Sequence, residues 1–202
     1  LELPISILNI GGISNVTQIT SFSSEVEDNL LALDIGPGNC LIDEWVRNNS
    51  NFNFDQDGKI AQSGKIDQLI LNQAIENFEI KNYSKSLDVK DFDISFARGL
   101  SLEDGCSTIT YFTAQLISDA IKHLNNKNFS KRYLLCGGGR KNDFLIKCIT
   151  QNLQDENLNI DKIEKYELDG DYIESQAFGY LAIRSFLNLP ISFKKTTGCN
   201  SP

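Results

Sequence analysis

Asp34 ends an apolar run, Leu30 to Leu33, and is followed by Ile35, the turn Gly36-Pro37-Gly38 and Asn39. A carboxylate at the tip of a buried strand, beside bare backbone, has two readings. An Asp at a strand end commonly accepts hydrogen bonds from its own turn. Beside an anion-binding loop, the same group can serve as a general base or hold metal-bound water. Next to bound phosphates a carboxylate is electrostatically unfavourable unless a cation or a proton transfer makes use of it, which favours the second reading.

The design recurs in "YLLCGGGRKN", where an apolar strand meets Gly137, Gly138 and Gly139 and a helix begins near Asn142. Glycines let the backbone approach a ligand, and helix N-terminal N–H groups favour an anion such as phosphate. One such turn is ordinary αβ chemistry. Two of them, together with Gly11-Gly12 in "LNIGGISNVT", point to a nucleotide site. A dinucleotide fingerprint is the rival, because Gly137-x-Gly139-x-x-Asn142 follows a strand. Its third glycine is replaced by Asn142, and only one further strand follows it.

Other residues have simpler readings. Glu174 lies in the first turns of an apolar helix, where it complements the dipole. His123, the single histidine, lies near the end of a long helix and suits its C-terminal dipole. "GKIAQSGKI" imitates a Walker loop, but Gly58 is one residue too far from Gly64-Lys65, and Ile66 replaces the metal-binding hydroxyl. "NFDQDG" imitates an EF-hand start, but the twelfth position is Gly64 instead of Glu. Both read as turns, and no metal ligand is assigned.

These residues need elements to hold them. Residues 5–20 read as a hairpin turning at Gly11-Gly12, and 30–34 as a third strand. After the Gly-Pro-Gly turn, Leu41, Ile42, Trp45 and Val46 share one helical face, with Asn39 as N-cap. Residues 48–64 read as loop, 66–78 as helix and the stretch to 97 as a polar connector. Residues 105–125 form the longest helix, burying Ile109, Phe112, Leu116, Ala120 and Leu124. Strand 132–136, a helix opening at Lys141, a strand over 160–167 and a helix over 171–188 complete the chain, the last stopped by Pro190. This order predicts a mixed sheet with helices on its faces.

A chain of 202 residues can bury about 70% of its unfolded surface. A net charge of −8 argues against a general nucleic-acid binder. Five scattered cysteines without a C-x-x-C fit a reducing cytosol, packed as small hydrophobes. Neither a membrane-length apolar stretch nor a basic-then-apolar leader is seen. The N-x-[ST] triplets at Asn15, Asn48, Asn82 and Asn128 are then chance in an Asn-rich chain. Opening on Leu inside an apolar run, without any Met, suggests that an N-terminal part is missing.

Taken in order, "LNIGGISNVT", "DIGPGNCLIDEW", "FDQDGKIAQSGKI", "KSLDVKDFD", "LSLEDGCSTITYFTA", "LLCGGGRKN", "DGDYIESQAFGYLAIR" and "TTGC" resemble the C-terminal half or more of the anhydro-N-acetylmuramic acid kinases. The resemblance implies the α/β, ribonuclease-H-like lobe of the actin, heat-shock ATPase and sugar-kinase superfamily, with residues 1–202 as a single lobe. It implies a cytoplasmic kinase of cell-wall recycling that uses ATP and Mg²⁺. Its reaction opens the anhydro ring with water and phosphorylates O6, giving N-acetylmuramic acid 6-phosphate. By resemblance Asp34 is the general base. Gly36, Gly38 and Asn39 lie near substrate and phosphate, Gly137, Gly138, Gly139 and Asn142 near the nucleotide, and Glu174 toward the sugar. The implied partners are the amino sugar, ATP, the missing N-terminal lobe and a possible second copy, with neither nucleic acid nor membrane. The alternative is a non-catalytic remnant lobe with weak nucleotide affinity at most. Ile35 stands where the family has Thr, and Val89 where a basic residue is usual.

Overall fold

A computed structural model describes residues 2–21, 29–78, 83, 86–125 and 130–199. Asn82, Asn128 and Lys85, the first residue of "KSLDVKDFD", lie outside the described residues. Strands β1 (Ile5–Ile10), β2 (Ile13–Ile19), β3 (Leu30–Pro37), β4 (Arg132–Cys136) and β5 (Asn159–Lys162) form one sheet in the order β3-β2-β1-β4-β5. The first three are antiparallel neighbours, while β4 runs parallel to β1 and β5 parallel to β4. This is the mixed sheet flanked by helices that the order of elements predicts.

The helices are α1 (Cys40–Asn49), α2 (Lys59–Ser63), α3 (Gln68–Asn77), α4 (Leu102–Asn125), α5 (Asp143–Asn152), α6 (Ile173–Phe186) and α7 (Lys194–Thr197). The face predicted for α1 is the face it buries: Leu41, Ile42, Trp45 and Val46. All five residues predicted for the inner face of α4 are buried. The helix also buries Ile117, Ile121 and several hydroxyl residues, because it packs against α1, α2, α3, α5 and β3 together. Gly105 lets α1 approach it. A Cβ there would lie 2.1 Å from the Trp45 ring, whose Nε1 donates to the Leu102 carbonyl at 2.9 Å.

The structure departs from the sequence reading in several places: β3 continues past Asp34 to Pro37 and its Leu30–Leu33 run is only partly buried, and α7 forms where no helix is expected. The segment 48–64, expected to be loop, contains α2. Buried Asp55 accepts from the N–H groups of Ile60 and Ala61 at 2.8 and 3.0 Å, giving the short helix its first hydrogen bonds. The last strand is shorter than expected, because residues 163–166 turn into a 3-10 helix. Asn39 holds the N-cap position of α1, but its side chain makes no capping bond. The N–H groups of Gly38, Asn39 and Cys40 instead donate to the Gly12, Gly11 and Gly12 carbonyls.

Cys106, Cys136 and Cys148 are buried, as small hydrophobes would be. His123 lies in the last turn of α4, with its ring 5.4 Å from that of Tyr83. Among the described residues, no helix is long and apolar enough to cross a membrane.

Candidate functional site

The hairpin turn and the turn after β3 form one unit. Gly38 N donates to Gly12 O at 2.9 Å, Asn39 N to Gly11 O at 2.8 Å and Cys40 N to Gly12 O at 3.2 Å. The contact requires glycine, since a Cβ on Gly38 would meet the Gly11 carbonyl oxygen at 2.1 Å. These N–H groups therefore fasten the two turns together. The N–H groups of Gly38, Asn39 and Cys40 are thus taken up within the protein and are not ones that could face an anion at this helix start.

The second glycine turn is packed as tightly. Gly137 has φ of 78°, and a Cβ there would lie 2.3 Å from Asn9 Oδ1 and 2.6 Å from Ile10 O. A Cβ on Gly139 would strike Ile10, so both glycines let the turn lie on the end of β1. Gly138 differs, being exposed, with Asn39 Nδ2 the nearest atom to a Cβ at 3.7 Å. Asn142 is buried and caps α5, its Oδ1 accepting from Leu145 N at 2.9 Å.

Asn39, Gly138 and Asn142 thus come together on one cavity of about 440 Å³, also lined by Asp43, Phe54, Asp55, Gln56, Asp57 and Lys141. The volume suits a small-molecule ligand. Gly36, Gly38, Gly137 and Gly139 are not among its lining residues, and Gly36 instead lies in β3 against Leu116 and Ile117 of α4.

The sequence of the 54–57 segment reads as a turn, yet the segment forms one side of the cavity. Both Asp55 oxygens are engaged by the start of α2, whereas Asp43 is less committed. Burial pushes the Asp43 carboxyl up to about 6; the Arg47 charge opposes this and the Asp55 charge adds to it. The only sequence signal for this wall was an acid on α1 opposite the apolar face, facing an Asp-rich turn.

Asp34 opens onto a different cavity of about 320 Å³ along the edge of β3. Its Oδ2 accepts from Leu87 N at 2.9 Å. Asn15, Tyr83, Ser86, Lys194 and Thr196 are among the other lining residues, so the "TTGC" stretch faces the strand that carries the acid. The β2–β3 register shifts between Ser14 and Asn15, pairing them with Gly36 and Asp34 and leaving Ile35 as the extra residue. Ile35 is fully buried in the main core.

Glu174 is exposed on α6 and lines neither cavity. The segment leading to α6 is nevertheless tied to the second glycine turn. Buried Arg140 reaches Glu164 at 2.6 Å, Asp171 at 2.9 Å and the Gly137 carbonyl at 2.8 Å, and Lys141 reaches Asp171 at 2.5 Å.

The family model described as anhydro-N-acetylmuramic acid kinase matches residues 3–202. Curated relatives of that name are 48% identical in Pelagibacter ubique, 36% in Zymomonas mobilis and 37% in Rhodospirillum rubrum. The matches cover 98–100% of this chain and 52–54% of the relatives, so the chain spans about half their length. A solved structure, the activator of the 2-hydroxyisocaproyl-CoA dehydratase from Clostridium difficile with bound ADPNP, gives a TM-score of 0.48. It is 13% identical over 80% of this chain and 55% of that one, a likeness too low to carry a conclusion. With its ordered motifs matched along almost its whole length, the chain belongs to the anhydro-N-acetylmuramic acid kinase family.

Proposed function

We propose that this chain supplies the C-terminal lobe of a cytoplasmic, ATP-dependent kinase acting on 1,6-anhydro-N-acetylmuramic acid. The observation that carries the reading is the family match over residues 3–202, joined to two glycine turns that meet on one cavity at the strand ends. ATP occupies that cavity, lying against exposed Gly138 with Asn39 and Lys141 beside it. Lys141, paired with Asp171, is the cation in the lining and would have to share its charge with phosphate oxygens, and Gly137, Gly139 and Asn142 hold the turn in shape. Among the described residues, no three metal-ligating side chains are assembled. Mg²⁺ is commonly held through nucleotide phosphates with one or two carboxylates, where it neutralises developing charge. Asp43 is the carboxylate in the cavity suited to that role, because both Asp55 oxygens are engaged.

Asp34 acts as general base. It takes a proton from water as the water oxygen bonds to the anomeric carbon and the bond from that carbon to O6 breaks. O6 takes the γ-phosphoryl group as the bond to ADP breaks. The balance is anhydro sugar, water and ATP giving N-acetylmuramic acid 6-phosphate, ADP and a proton. The hydrogen bond from Leu87 N fixes one carboxylate oxygen and so orients the base. Phosphoryl transfer is mainly positioning and charge stabilisation, which rigid turns and a cation can supply.

The test mixes this chain with the N-terminal half of the Pelagibacter ubique relative and follows ADP formation dependent on the anhydro sugar. Transfer by the pair, and none by either part alone, is expected. A folded, associated pair without transfer would leave the remnant-lobe reading, and calorimetry would then show millimolar ATP affinity or none.

A further inference from the structure

Among the described residues, α6 buries none, although it is rich in apolar side chains. Phe186 is 86% exposed, Phe178 65%, Ile183 60% and Tyr180 59%. At about 100° per residue, Phe178, Phe186, Ile183, Tyr180 and Leu181 stand near 0°, 80°, 140°, 200° and 300° around the axis. The apolar surface therefore surrounds the helix instead of forming a stripe. A helix that is hydrophobic all round is an enclosed one. The following segment enlarges the patch with Leu187, Leu189 and Ile191, and Arg184 Nε holds it by donating to the Pro190 carbonyl at 2.6 Å. Elsewhere among the described residues the large exposed hydrophobics are Phe52, Phe54, Leu69, Val89 and Leu168, with Tyr172 just before α6. An apolar patch of this kind marks an interaction surface.

Only the start of α6 is anchored. Ile173 packs against the small cluster of Ile5, Leu134, Cys136 and Ile163. Just before it, Arg140 ties Glu164 and Asp171 to the Gly137 carbonyl. The helix is thus rooted beside the nucleotide turn, with its remaining length uncovered.

We propose that residues 173–191 are the element by which this lobe docks to the N-terminal half of the kinase, inserting α6 into a groove there. The proposal rests on the kinase reading above. Two observations select this occupant over a second copy. The relatives carry nearly half their length beyond the part matched here, enough for a lobe that must contact this one. A two-fold contact between identical helices would cover one side and leave the others in water, whereas a groove encloses several sides. Docking here would couple lobe association to the nucleotide turn through Arg140 and Asp171.

The probe is the N-terminal half of the Pelagibacter ubique relative, added to the complete 202-residue chain. We expect a one-to-one complex by light scattering, with residues 173–191 gaining protection from hydrogen exchange. The double substitution Ile183→Glu, Phe186→Glu should weaken association by at least about a hundredfold, while Phe52→Glu leaves it unchanged. Both replaced side chains are exposed, so the thermal midpoint of the isolated variant should match the parent and exclude a folding failure. Retained affinity in the double variant, absence of any complex, or a complex without protection of 173–191 would overturn the proposal. So would protection of those residues in the chain alone that rises with its concentration, which identifies a homodimer. Substrate-dependent ADP formation that survives the double substitution would reject this docking surface and leave the kinase reading standing. Association through α6 without ADP formation would do the reverse.

Discussion

Replacing Gly38 by alanine tests how the proposed site is assembled. The added Cβ would lie 2.1 Å from the Gly11 carbonyl oxygen and 3.1 Å from that of Gly12. Both are backbone atoms, so no side-chain rotation relieves the overlap, and the hairpin turn must separate from the loop after β3. Separation breaks up to three hydrogen bonds, from the N–H groups of Gly38, Asn39 and Cys40. At roughly 0.5–1.5 kcal/mol net for each, the expected loss is about 2–4 kcal/mol. Measured against a total stability of about 5–15 kcal/mol, that is a large effect. For a protein of this size, it lowers the thermal midpoint by roughly 5–15 °C.

Calorimetry and urea unfolding of Gly38→Ala and Gly12→Ala, side by side, provide the assay. A Cβ on Gly12 meets nothing within 4 Å, so that variant should stay within about 0.5 kcal/mol of the parent. If Gly38→Ala unfolded together with the parent, the two turns would not be joined as described, and the assembly of the cavity from them would be refuted.

Gly138→Ala should preserve stability, since the nearest atom lies 3.7 Å from the new Cβ, yet weaken ATP binding because the methyl group occupies the cavity wall. Isothermal titration of the folded variant checks this, and unchanged affinity would remove the nucleotide from that turn. Asp34→Asn can still accept from Leu87 N, so the fold should persist. Sugar-dependent ADP formation by the reconstituted pair should fall about 10²–10⁴-fold, because the base is lost. Asp43 gives a pH signature. Its folded pKa of about 6 lies above the ordinary value of 3.8, so its ionisation costs stability as pH rises through that interval. Partial exposure reduces the cost by screening, leaving about 1–2 kcal/mol. Asp43→Asn should therefore be more stable than the parent by that amount at pH 7.5 and equal to it below about pH 4. Urea unfolding at both pH values decides, and a pH-independent difference would contradict the assigned burial.

Local pattern was sufficient for much of the fold. The Gly-Gly hairpin, the apolar run before Asp34, the inner faces of α1 and α4 and the short strand 132–136 are all written in adjacent residues or in a helical period. The order of these elements also indicated the mixed sheet. Helix α2 was not legible, because Asp55 starts it by reaching Ile60 and Ala61 from outside the helix. Strand β5 is overextended in the sequence reading because Ile163 and Tyr166 continue past Lys162, and local pattern does not reveal where the sheet partner ends. Asn39 has the residue type and position of a cap, but its side chain makes no capping bond, and the helix start is fixed by the Gly11 and Gly12 carbonyls, which accept from Gly38, Asn39 and Cys40.

The sequence by itself determined the fold class, the two glycine turns, the acid at Asp34 and, through the order of its motifs, the family. Those features depend on residue type and near-neighbour spacing. Only the tertiary structure decided that Asn39 and Gly138 face one cavity, with Asp43 and the 54–57 turn completing it, and that Asp34 opens onto another. It alone placed Ile35 in the core and left α6 uncovered along most of its length. Such facts depend on which distant backbone surfaces meet, and a linear pattern shows that a residue is apolar or acidic without showing what lies against it.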